Sequence, residues 1–392
     1  MNKINLDMEQ ERIVQEILYG QAKATVVAGG PGTGKSLLAK KAYDHLFQKY
    51  GKEGTLYLVY NKPLSMSLNV DTKDSWLYRQ FRISYKGSDK EREQKLESAL
   101  QRHYTPKYEY IIVDEAQDFS LNEILLLQKC AKHLICFIDP NQAYTGNKTT
   151  IALLLFVLGI EAPYYLTKNY RNTQEIFEAA SLFLDNEQNE LRPSRFVENG
   201  DKPIRFSVSN YQEENDLIAD IISECIPSDT MFNEGKAEWY DPCSPHCSIG
   251  ILAPNQKSVS ALYNGIRDSL ERKGYVWGEP GRILQKYSSS DNRKGEQEEI
   301  DFNPDPEEEG KCTIIGYNVA KGLEFDVVIM PRITQINTPP FVGNEKEQRN
   351  HLLYTAMTRA RKNLFLIDWP SDSAKFFNEI NKIRTSSLFR KG

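Results

Sequence analysis

The stretch TVVAGGPGTGKSLLAKKAYDHLF, at residues 25–47, constrains the fold of this chain more than any other. It opens with β-branched residues typical of a buried strand and then turns through a glycine-rich loop. The residues that follow have apolar side chains at helical spacing, namely Leu38, Ala42 and Leu46. A strand, a tight loop and a helix in this order begin a βαβ unit, which requires a parallel sheet. We therefore expect an α/β fold.

The spacing within the glycine-rich loop indicates what it binds. Four residues separate Gly29 from the sequence Gly34-Lys35-Ser36, a pattern whose backbone N–H groups wrap phosphates. Lys35 is expected to reach the β- and γ-phosphates of ATP, and the Ser36 hydroxyl to bind Mg²⁺. A chance glycine-rich turn is the alternative, which the flanking strand and helix disfavour. The predicted nucleotide-binding residues here are Gly29, Gly30, Gly32, Thr33, Gly34, Lys35 and Ser36.

A second motif, IIVDEAQDFS at residues 111–120, places several carboxylates where a strand ends. Ligands of open α/β sheets collect at such carboxyl ends. Beside a phosphate loop, Asp114 is expected to hold Mg²⁺ through water, and Glu115 to polarise the water that attacks ATP. Two solvated acids are the alternative. Gln117 and Asp118 need another explanation, because hydrolysis itself requires neither.

Length and composition set the broad class. A chain of 392 residues is long enough for about two or three domains. The longest apolar run, IALLLFVLGI at 151–160, is too short to cross a bilayer, so we expect no membrane contact. The N-terminal sequence lacks the apolar core of a signal peptide, which predicts a cytoplasmic protein with reduced cysteines. The net charge is −5, so any nucleic acid must bind in a local basic groove.

Further motifs follow in an order that resembles superfamily 1 helicases of the UvrD, Rep and PcrA type. DEAQD is similar to the second ATPase motif of that family, and KGLEFD at 321–326 is the most specific string in the chain. HLLYTAMTRARKNLFLI at 351–367 resembles the sixth motif. The resemblance implies two RecA-like P-loop NTPase domains with parallel sheets and an ATP site at their interface.

In the first domain, the resemblance assigns three further residues to the ATP site. Gln10 of DMEQ would read adenine with its side-chain amide, although a solvated helix residue is the alternative. Gln142 of LICFIDPNQAY would touch the γ-phosphate and act in catalysis. Tyr170 of YYLTKNYRNTQEI would pack on the adenine. Together with the phosphate loop, these residues are expected to bind ATP.

The resemblance also assigns catalytic residues further along the chain. Arg171 and Arg359 would act as arginine fingers, with a surface salt bridge as the alternative for Arg171. Tyr354 would orient the sixth motif, and Glu324 would meet the ribose or phosphate network. Two arginines from a second domain would make hydrolysis depend on domain closure. The residues predicted to act in catalysis are Lys35, Glu115, Gln142, Arg171 and Arg359.

The nucleic-acid side matches the family less well. The predicted contacts are Tyr60, Asn61, Trp76, Tyr144 and Asn318, with Tyr78 as a further aromatic candidate. The alternative for Trp76 and Tyr78 is a place in the hydrophobic core. Asp74 stands where the family often has a histidine, and a carboxylate would repel a phosphate backbone. Gly316 and Asn318 replace a threonine and a histidine, and TGNKTT replaces an aromatic-arginine pair.

We expect a first domain at residues 1–175 and a second at 176–392, in a compact form that lacks most of the accessory 1B and 2B domains. The first would carry a reduced insertion at 82–107, and the second an acidic loop at 281–310 in place of the larger insertion. Between Glu296 and Glu309 the loop has eight carboxylates and no basic residue. Such a run is usually solvated, with docking on a basic partner as the alternative. Zinc binding by Cys243, His246 and Cys247 is disfavoured, because no second ligand pair lies nearby.

Two functions fit these motifs. The first is an ATP- and Mg²⁺-dependent translocase or helicase on single-stranded DNA, with RNA as an alternative and 3′ to 5′ polarity. The second is an ATPase switch that gates a nuclease or other effector, as in phage defence. A small-molecule P-loop kinase is disfavoured because it needs neither KGLEFD nor two arginine fingers. In either function Gln117 and Asp118 would relay the nucleotide state to the nucleic-acid cleft.

Overall fold

The computed structural model describes residues 6–60, 65, 68–84, 88–143, 149–184, 191–225, 247–274, 284–286, 312–317, 319–335, 345–369 and 382–383. The chain divides into two compact units. The first runs to Tyr170 and includes the segment that ends at Val197, and the second begins at Arg171 and takes in the described residues from Glu198 to 335 and from Glu345 onward. The chain therefore passes from the first unit to the second and back again before Glu198, close to the boundary that we predicted at 175/176. That boundary stays a prediction.

The first unit is built on a six-stranded parallel sheet with the order β3-β2-β4-β5-β1-β6. Its strands are β1 (Ala24–Gly29), β2 (Thr55–Val59), β3 (Asp71–Thr72), β4 (Tyr108–Val113), β5 (Ala131–Ile138) and β6 (Tyr164–Leu166). Because β4, β5 and β1 are neighbours and parallel, the loops after these three strands meet at one carboxyl edge. This strand order gathers the phosphate loop, DEAQD and FIDPNQ at that edge.

Helices cover both faces of the first sheet. They are α1 (Met8–Tyr19), α2 (Lys35–Gly54), α3 (Lys73–Phe81), α4 (Asp89–Leu100), α5 (Leu121–Cys130) and α6 (Ile151–Leu158). One core contains Val26, Leu58 and Ile111, and the other contains Val27, Tyr57 and Ile112, so successive strand residues point to opposite faces. A short two-stranded pair, β7 (Lys168–Asn169) and β8 (Arg195–Phe196), follows β6.

The second unit has its own six-stranded parallel sheet, in the order β11-β12-β10-β13-β14-β9. Its strands are β9 (Ile204–Ser207), β10 (Ile249–Ala253), β11 (Leu284–Lys286), β12 (Cys312–Gly316), β13 (Phe325–Met330) and β14 (Ala360–Asp368). Its helices are α7 (Gln174–Ser181), α8 (Tyr211–Cys225), α9 (Gln256–Arg272) and α10 (Glu345–Met357). The predicted α/β class with parallel sheets is confirmed.

The long apolar run at 151–160 is the short helix α6, capped by Thr150 and ended by Gly159 in the left-handed region at φ 67°. Leu154 and Leu158 are buried against the sheet. Within the described residues, no helix has the length and apolar character that a membrane span requires.

Candidate functional site

The phosphate loop joins β1 to α2 through two glycines in the left-handed region. Gly32 has φ 70° and Gly34, which caps the helix, has φ 90°. The ammonium of Lys35 is buried and donates hydrogen bonds to the carbonyls of Gly29 (2.9 Å) and Gly30 (2.8 Å). The backbone therefore turns its first helical N–H groups and a lysine charge toward the same carboxyl edge, as an anion site requires.

Gln10 and Tyr170 both lie against this loop. The Gln10 amide donates to the carbonyl of Thr33 (3.2 Å) and accepts from the backbone N–H of Asp7 (3.3 Å). The backbone N–H of Tyr170 donates to the carbonyl of Gly32 (2.8 Å), and its hydroxyl donates to the Asp7 carboxylate. Burial raises the pKa of Tyr170 well above its usual range, and the hydrogen bond to the Asp7 carboxylate raises it further. Both residues thus lie beside the phosphate loop, and their contacts with adenine stay predictions.

Asp114 follows β4 and is fully buried. Its carboxylate accepts hydrogen bonds from the Ser36 hydroxyl and from the phenol of Tyr57 (3.3 Å). Burial raises the pKa of Asp114 to about 6, with the neighbouring Glu115 carboxylate as the second cause. Ser36 and Asp114 thus present two hard oxygen donors to one position, the class of ligand that Mg²⁺ prefers. The predicted metal pair is brought together in this unit.

Glu115 has a backbone conformation that few residues of its type adopt. Its φ is 56° and its ψ is 47°, in the left-handed region where a non-glycine residue is strained. The side chain of Gln117 donates to the Glu115 carboxylate and accepts from the backbone N–H of Asp139 (3.0 Å). Gln117 therefore ties the residue predicted to activate water to the end of the neighbouring strand β5.

Asp139 is the centre of this network, and the sequence analysis did not single it out. Its carboxylate accepts from the side chain of Gln142 (2.7 Å) and from the backbone N–H of Asn141 (3.2 Å). It also lies 3.7 Å from the Lys35 ammonium and has no exposed surface. A signal existed, because Asp139 follows the buried strand β5 just as Asp114 follows β4. Gln142, predicted to touch the γ-phosphate, is therefore linked to Lys35 through Asp139, which contacts both side chains.

A second buried network lies next to DEAQD. The Lys73 ammonium donates to the backbone carbonyl of Asp118 (2.8 Å) and to the Glu123 carboxylate (3.0 Å). Arg92, from the helix α4 inside the predicted insertion, pairs with Glu123 (2.6 Å) and with Asp74 (2.6 Å). Burial would raise the pKa of Glu123, but Lys73 and Arg92 outweigh it and lower the pKa. Arg92 thus neutralises Asp74, the carboxylate that departs from the family pattern.

The predicted nucleic-acid contacts separate into three groups. Trp76 is 1% exposed, donates to the Tyr108 hydroxyl (3.3 Å) and packs in the core, which is the alternative that the sequence left open. Tyr60 is partly exposed, with the Lys73 ammonium 5.2 Å from its ring centre. Tyr78 is exposed on α3. Asn61, Tyr144 and Asn318 lie outside the described residues.

In the second unit, Arg171 and Glu324 form one charged cluster. The guanidinium groups of Arg171 and Arg361 both donate to the Glu324 carboxylate. Burial would raise the pKa of Glu324, but the two arginines outweigh it and lower the pKa to about 2. Arg171, predicted as an arginine finger, thus has a carboxylate partner in its own unit, and Arg361 is a partner that the sequence analysis missed.

Arg359 is almost completely buried, at 2% exposure. Its guanidinium donates to the carbonyls of Thr355 (3.0 Å) and Leu323 (3.2 Å). Phe325 and Ala360 are register partners at the starts of β13 and β14, so Arg359 and Glu324 lie at the amino edge of the second sheet. Tyr354 is buried on α10, with its ring edge against Phe177 at 6.3 Å between ring centres. Glu324 and Arg359 therefore lie at the amino edge of their sheet, whereas the phosphate loop and DEAQD lie at the carboxyl edge of the first sheet.

Two family models match separate parts of this chain. Residues 22–199 match the Schlafen group 3 DNA/RNA helicase domain, and residues 294–370 match the UvrD-like helicase C-terminal domain. The match at 22–199 contains the phosphate loop and DEAQD. The match at 294–370 contains KGLEFD, including Glu324, the carboxylate that contacts Arg171 and Arg361. The chain is similar to UvrD-type superfamily 1 helicases. The resemblance drawn from the motifs is thereby confirmed.

The relatives that this chain matches are longer proteins. It is 28% identical over 192 residues to a probable DNA helicase II homolog of Rickettsia conorii, an alignment that covers 46% of this chain and 27% of that protein. It is 26% identical over 141 residues to the putative ATP-dependent DNA helicase YjcD of Bacillus subtilis, covering 32% of this chain and 18% of the relative. The chain thus spans less than a third of the length of these relatives. Among solved structures, the Pif1 helicase of Candida albicans shares 14% identity at a TM-score of 0.44, covering 98% of this chain and 97% of that one.

Two predictions about the second half fall mainly outside the described residues. Of the acidic loop at 281–310, only residues 284–286 are described, and they form strand β11. Of the three candidate zinc ligands, only Cys247 is described, and its thiol donates to the carbonyl of Cys225 (3.0 Å). The described part of the chain has no group of three metal-binding side chains. Both predictions therefore stay as stated.

Proposed function

We propose that this chain is an ATP-hydrolysing motor that single-stranded nucleic acid stimulates, and that moves along or unwinds DNA in the 3′ to 5′ direction. RNA is the alternative substrate. The observation that carries the proposal is a continuous chain of contacts from Lys35 through Asp139 and Gln117 to Glu115. It links the phosphate loop to DEAQD, so a change at the γ-phosphate would alter the position of Glu115, the residue expected to activate water.

The geometry supports ATP with Mg²⁺ as the nucleotide. Lys35 would place its charge on the β- and γ-phosphates, and the turn from Gly32 to Gly34 would supply backbone N–H donors. Ser36 and Asp114 would hold the metal, which when bound neutralises charge on the phosphate oxygens. Because Asp114 is buried beside Glu115, a cation there also offsets the repulsion between the two carboxylates.

The remaining residues would sense or complete this site. Gln142, fixed on Asp139 at 2.7 Å, would report the presence of the γ-phosphate. Arg171 and Arg359 would stabilise charge in the transition state, the usual task of arginine fingers. Arg171 would first have to exchange its partner Glu324 for a phosphate, which gives its recruitment a switch-like character.

One observation favours a second function, that of an ATPase switch that gates a nuclease or other effector. The Asp74 carboxylate is paired with Arg92, which offsets its repulsion of phosphate, but this position still lacks the histidine that helicases of this family often have there. A weakened nucleic-acid track would suit a switch better than a processive motor. Roles in DNA repair and in antiviral defence are predictions that follow from the motor and from the switch, respectively.

Steady-state ATP hydrolysis tests both functions. The purified chain is assayed alone and with single-stranded DNA, single-stranded RNA and duplex DNA, with Lys35→Ala as the control for its own active site. The motor predicts strong stimulation by single strands that Lys35→Ala abolishes, followed by strand displacement from a duplex with a 3′ overhang. Activity that no nucleic acid changes would contradict the motor and favour the switch.

A further inference from the structure

A basic cleft lies in the first unit, at the edge of the sheet opposite to the phosphate loop. Its volume is about 620 Å³, and its cationic and histidine side chains are Lys23, Arg102, His103, Lys129, Lys132 and His133. Lys23 precedes β1 and Lys132 is the second residue of β5, whereas the phosphate loop follows the last residue of β1. A strand of six residues separates the two edges by roughly 17 Å at 3.3 Å per residue. The basic cleft is therefore distinct from the ATP site.

The basic cleft is positively charged, although the chain as a whole is negatively charged. The whole chain carries a net charge of −5, yet six of the eleven residues that line the cleft are lysine, arginine or histidine and none is a carboxylate. Lys132 pairs with Glu109 at 2.8 Å, outside the lining. Within the described part of the chain, Lys23 and Arg102 form no ion pair, and both are exposed. Such a concentration of positive charge attracts a polyanion.

The lining also offers groups other than charges. The hydroxyl of Tyr104 is buried and has no hydrogen-bond partner among the described residues, so it can donate to an added acceptor. The ring of Tyr104 is fixed edge-on against Phe81, with ring centres 5.9 Å apart. His133 is fixed by stacking on Tyr110 at 4.6 Å and by a contact with the carbonyl of Ala22 at 2.9 Å. These side chains are held in place before any ligand arrives.

We propose that the basic cleft binds the phosphate backbone of a nucleic-acid strand, at a site separate from the track that the helicase motifs predict. Three separate segments, around Lys23, Arg102 and Lys132, contribute the cations, so the cleft offers several positive charges to a strand rather than one. Contacts to phosphate from lysine, arginine and hydroxyl groups position a strand without reading its sequence. The cleft would thus retain a strand on the molecule whatever the nucleotide state of the ATP site.

The test is nucleic-acid binding by the full chain, followed through the anisotropy of a labelled oligothymidylate over a series of salt concentrations. The cleft variant is Lys23→Gln with Arg102→Gln. The control is Lys202→Gln with Arg272→Gln, which also removes one exposed lysine and one exposed arginine, but in the second unit. Each single-strand phosphate contact contributes about 0.7 to the slope of log K against log salt, so the cleft variant should lose about 1.4 from that slope and the control nothing.

Photo-crosslinking locates the contact. An oligonucleotide that carries 5-iodouracil should crosslink to the segment that contains His103 and Tyr104 in the wild type, and much less in the cleft variant. Circular dichroism spectra that match the wild type would show that the variant is folded. Equal changes of slope in the cleft variant and the control, or crosslinks that avoid this segment, would overturn the proposal. Displacement of the strand by inorganic pyrophosphate at equal phosphate concentration would also overturn it, since it would identify a small-anion site.

This inference does not depend on ATP hydrolysis. Binding is measured without nucleotide and is repeated with Lys35→Ala, which should keep the full salt slope. If single strands do not stimulate hydrolysis by the wild type, only the proposed motor function is refuted. If the salt slope of the cleft variant is unchanged, only the proposed binding in the basic cleft is refuted.

Discussion

Gln117 offers the sharpest test of coupling between the phosphate loop and DEAQD. Its amide donates to the Glu115 carboxylate and accepts from the backbone N–H of Asp139 at 3.0 Å. A hydrogen bond to an ionised group contributes about 1.5–3 kcal/mol, and a neutral one about 0.5–1.5 kcal/mol. If the bond to Glu115 positions it in the transition state, Gln117→Ala should lower kcat about 10- to 100-fold, because about 1.4 kcal/mol corresponds to a factor of ten. Loss of the bond to Asp139 should also abolish stimulation by single strands.

The assay compares Gln117→Ala with Gln117→Met, which keeps the length of the side chain but cannot make either hydrogen bond. ATP binding is followed with a fluorescent ATP analogue, and hydrolysis is measured with and without single-stranded DNA. Both variants should bind ATP as the wild type does, because the hydrogen bonds of Gln117 are with Glu115 and Asp139 and not with the phosphate loop. Full stimulation in Gln117→Met would refute this reasoning. Weak ATP binding in both variants would show that Gln117 only maintains the local fold.

Three further predictions follow. Lys73→Met should lower the free energy of unfolding by about 2–3 kcal/mol, less than the full cost of breaking a buried pair because a second cation still contacts Glu123; urea denaturation measures it. The pKa of Glu123 is lower in the folded state than in the unfolded state, so its stabilising contribution is complete above the unfolded pKa and is lost as pH falls through the folded pKa. Lys73→Met should therefore reduce the stability that the protein loses at acidic pH. Asp139→Asn should weaken ATP hydrolysis more than ATP binding, because it removes the charge 3.7 Å from Lys35, and equal losses in kcat and affinity would contradict this. Glu324→Gln should free Arg171 from its charged partner and raise hydrolysis without nucleic acid, whereas unchanged basal activity would argue against a switch at this pair.

Spacing along the chain was enough for the features that depend on contiguous residues. The strand, loop and helix around Gly34 and Lys35 were predicted because a phosphate-binding turn needs those residue types in that order. The position of Asp114 at a strand end was predicted for a similar reason, since a buried strand reads as an apolar run that a carboxylate interrupts. The α/β class followed from the same alternation of strand and helix.

Other features depended on which strands become neighbours, and no local pattern states that. Asp139 became the centre of the network only because β5 lies between β4 and β1. The partner of Asp74 is Arg92, 18 residues away on a helix that the sequence marked only as an insertion. Trp76 is buried, although its spacing suited an exposed stacking residue equally well. The sequence by itself determined the strand, loop and helix around Lys35 and the carboxylate that follows β4. The tertiary structure decided how these residues are linked and where the basic cleft lies, because contacts between distant segments are set by strand order and packing.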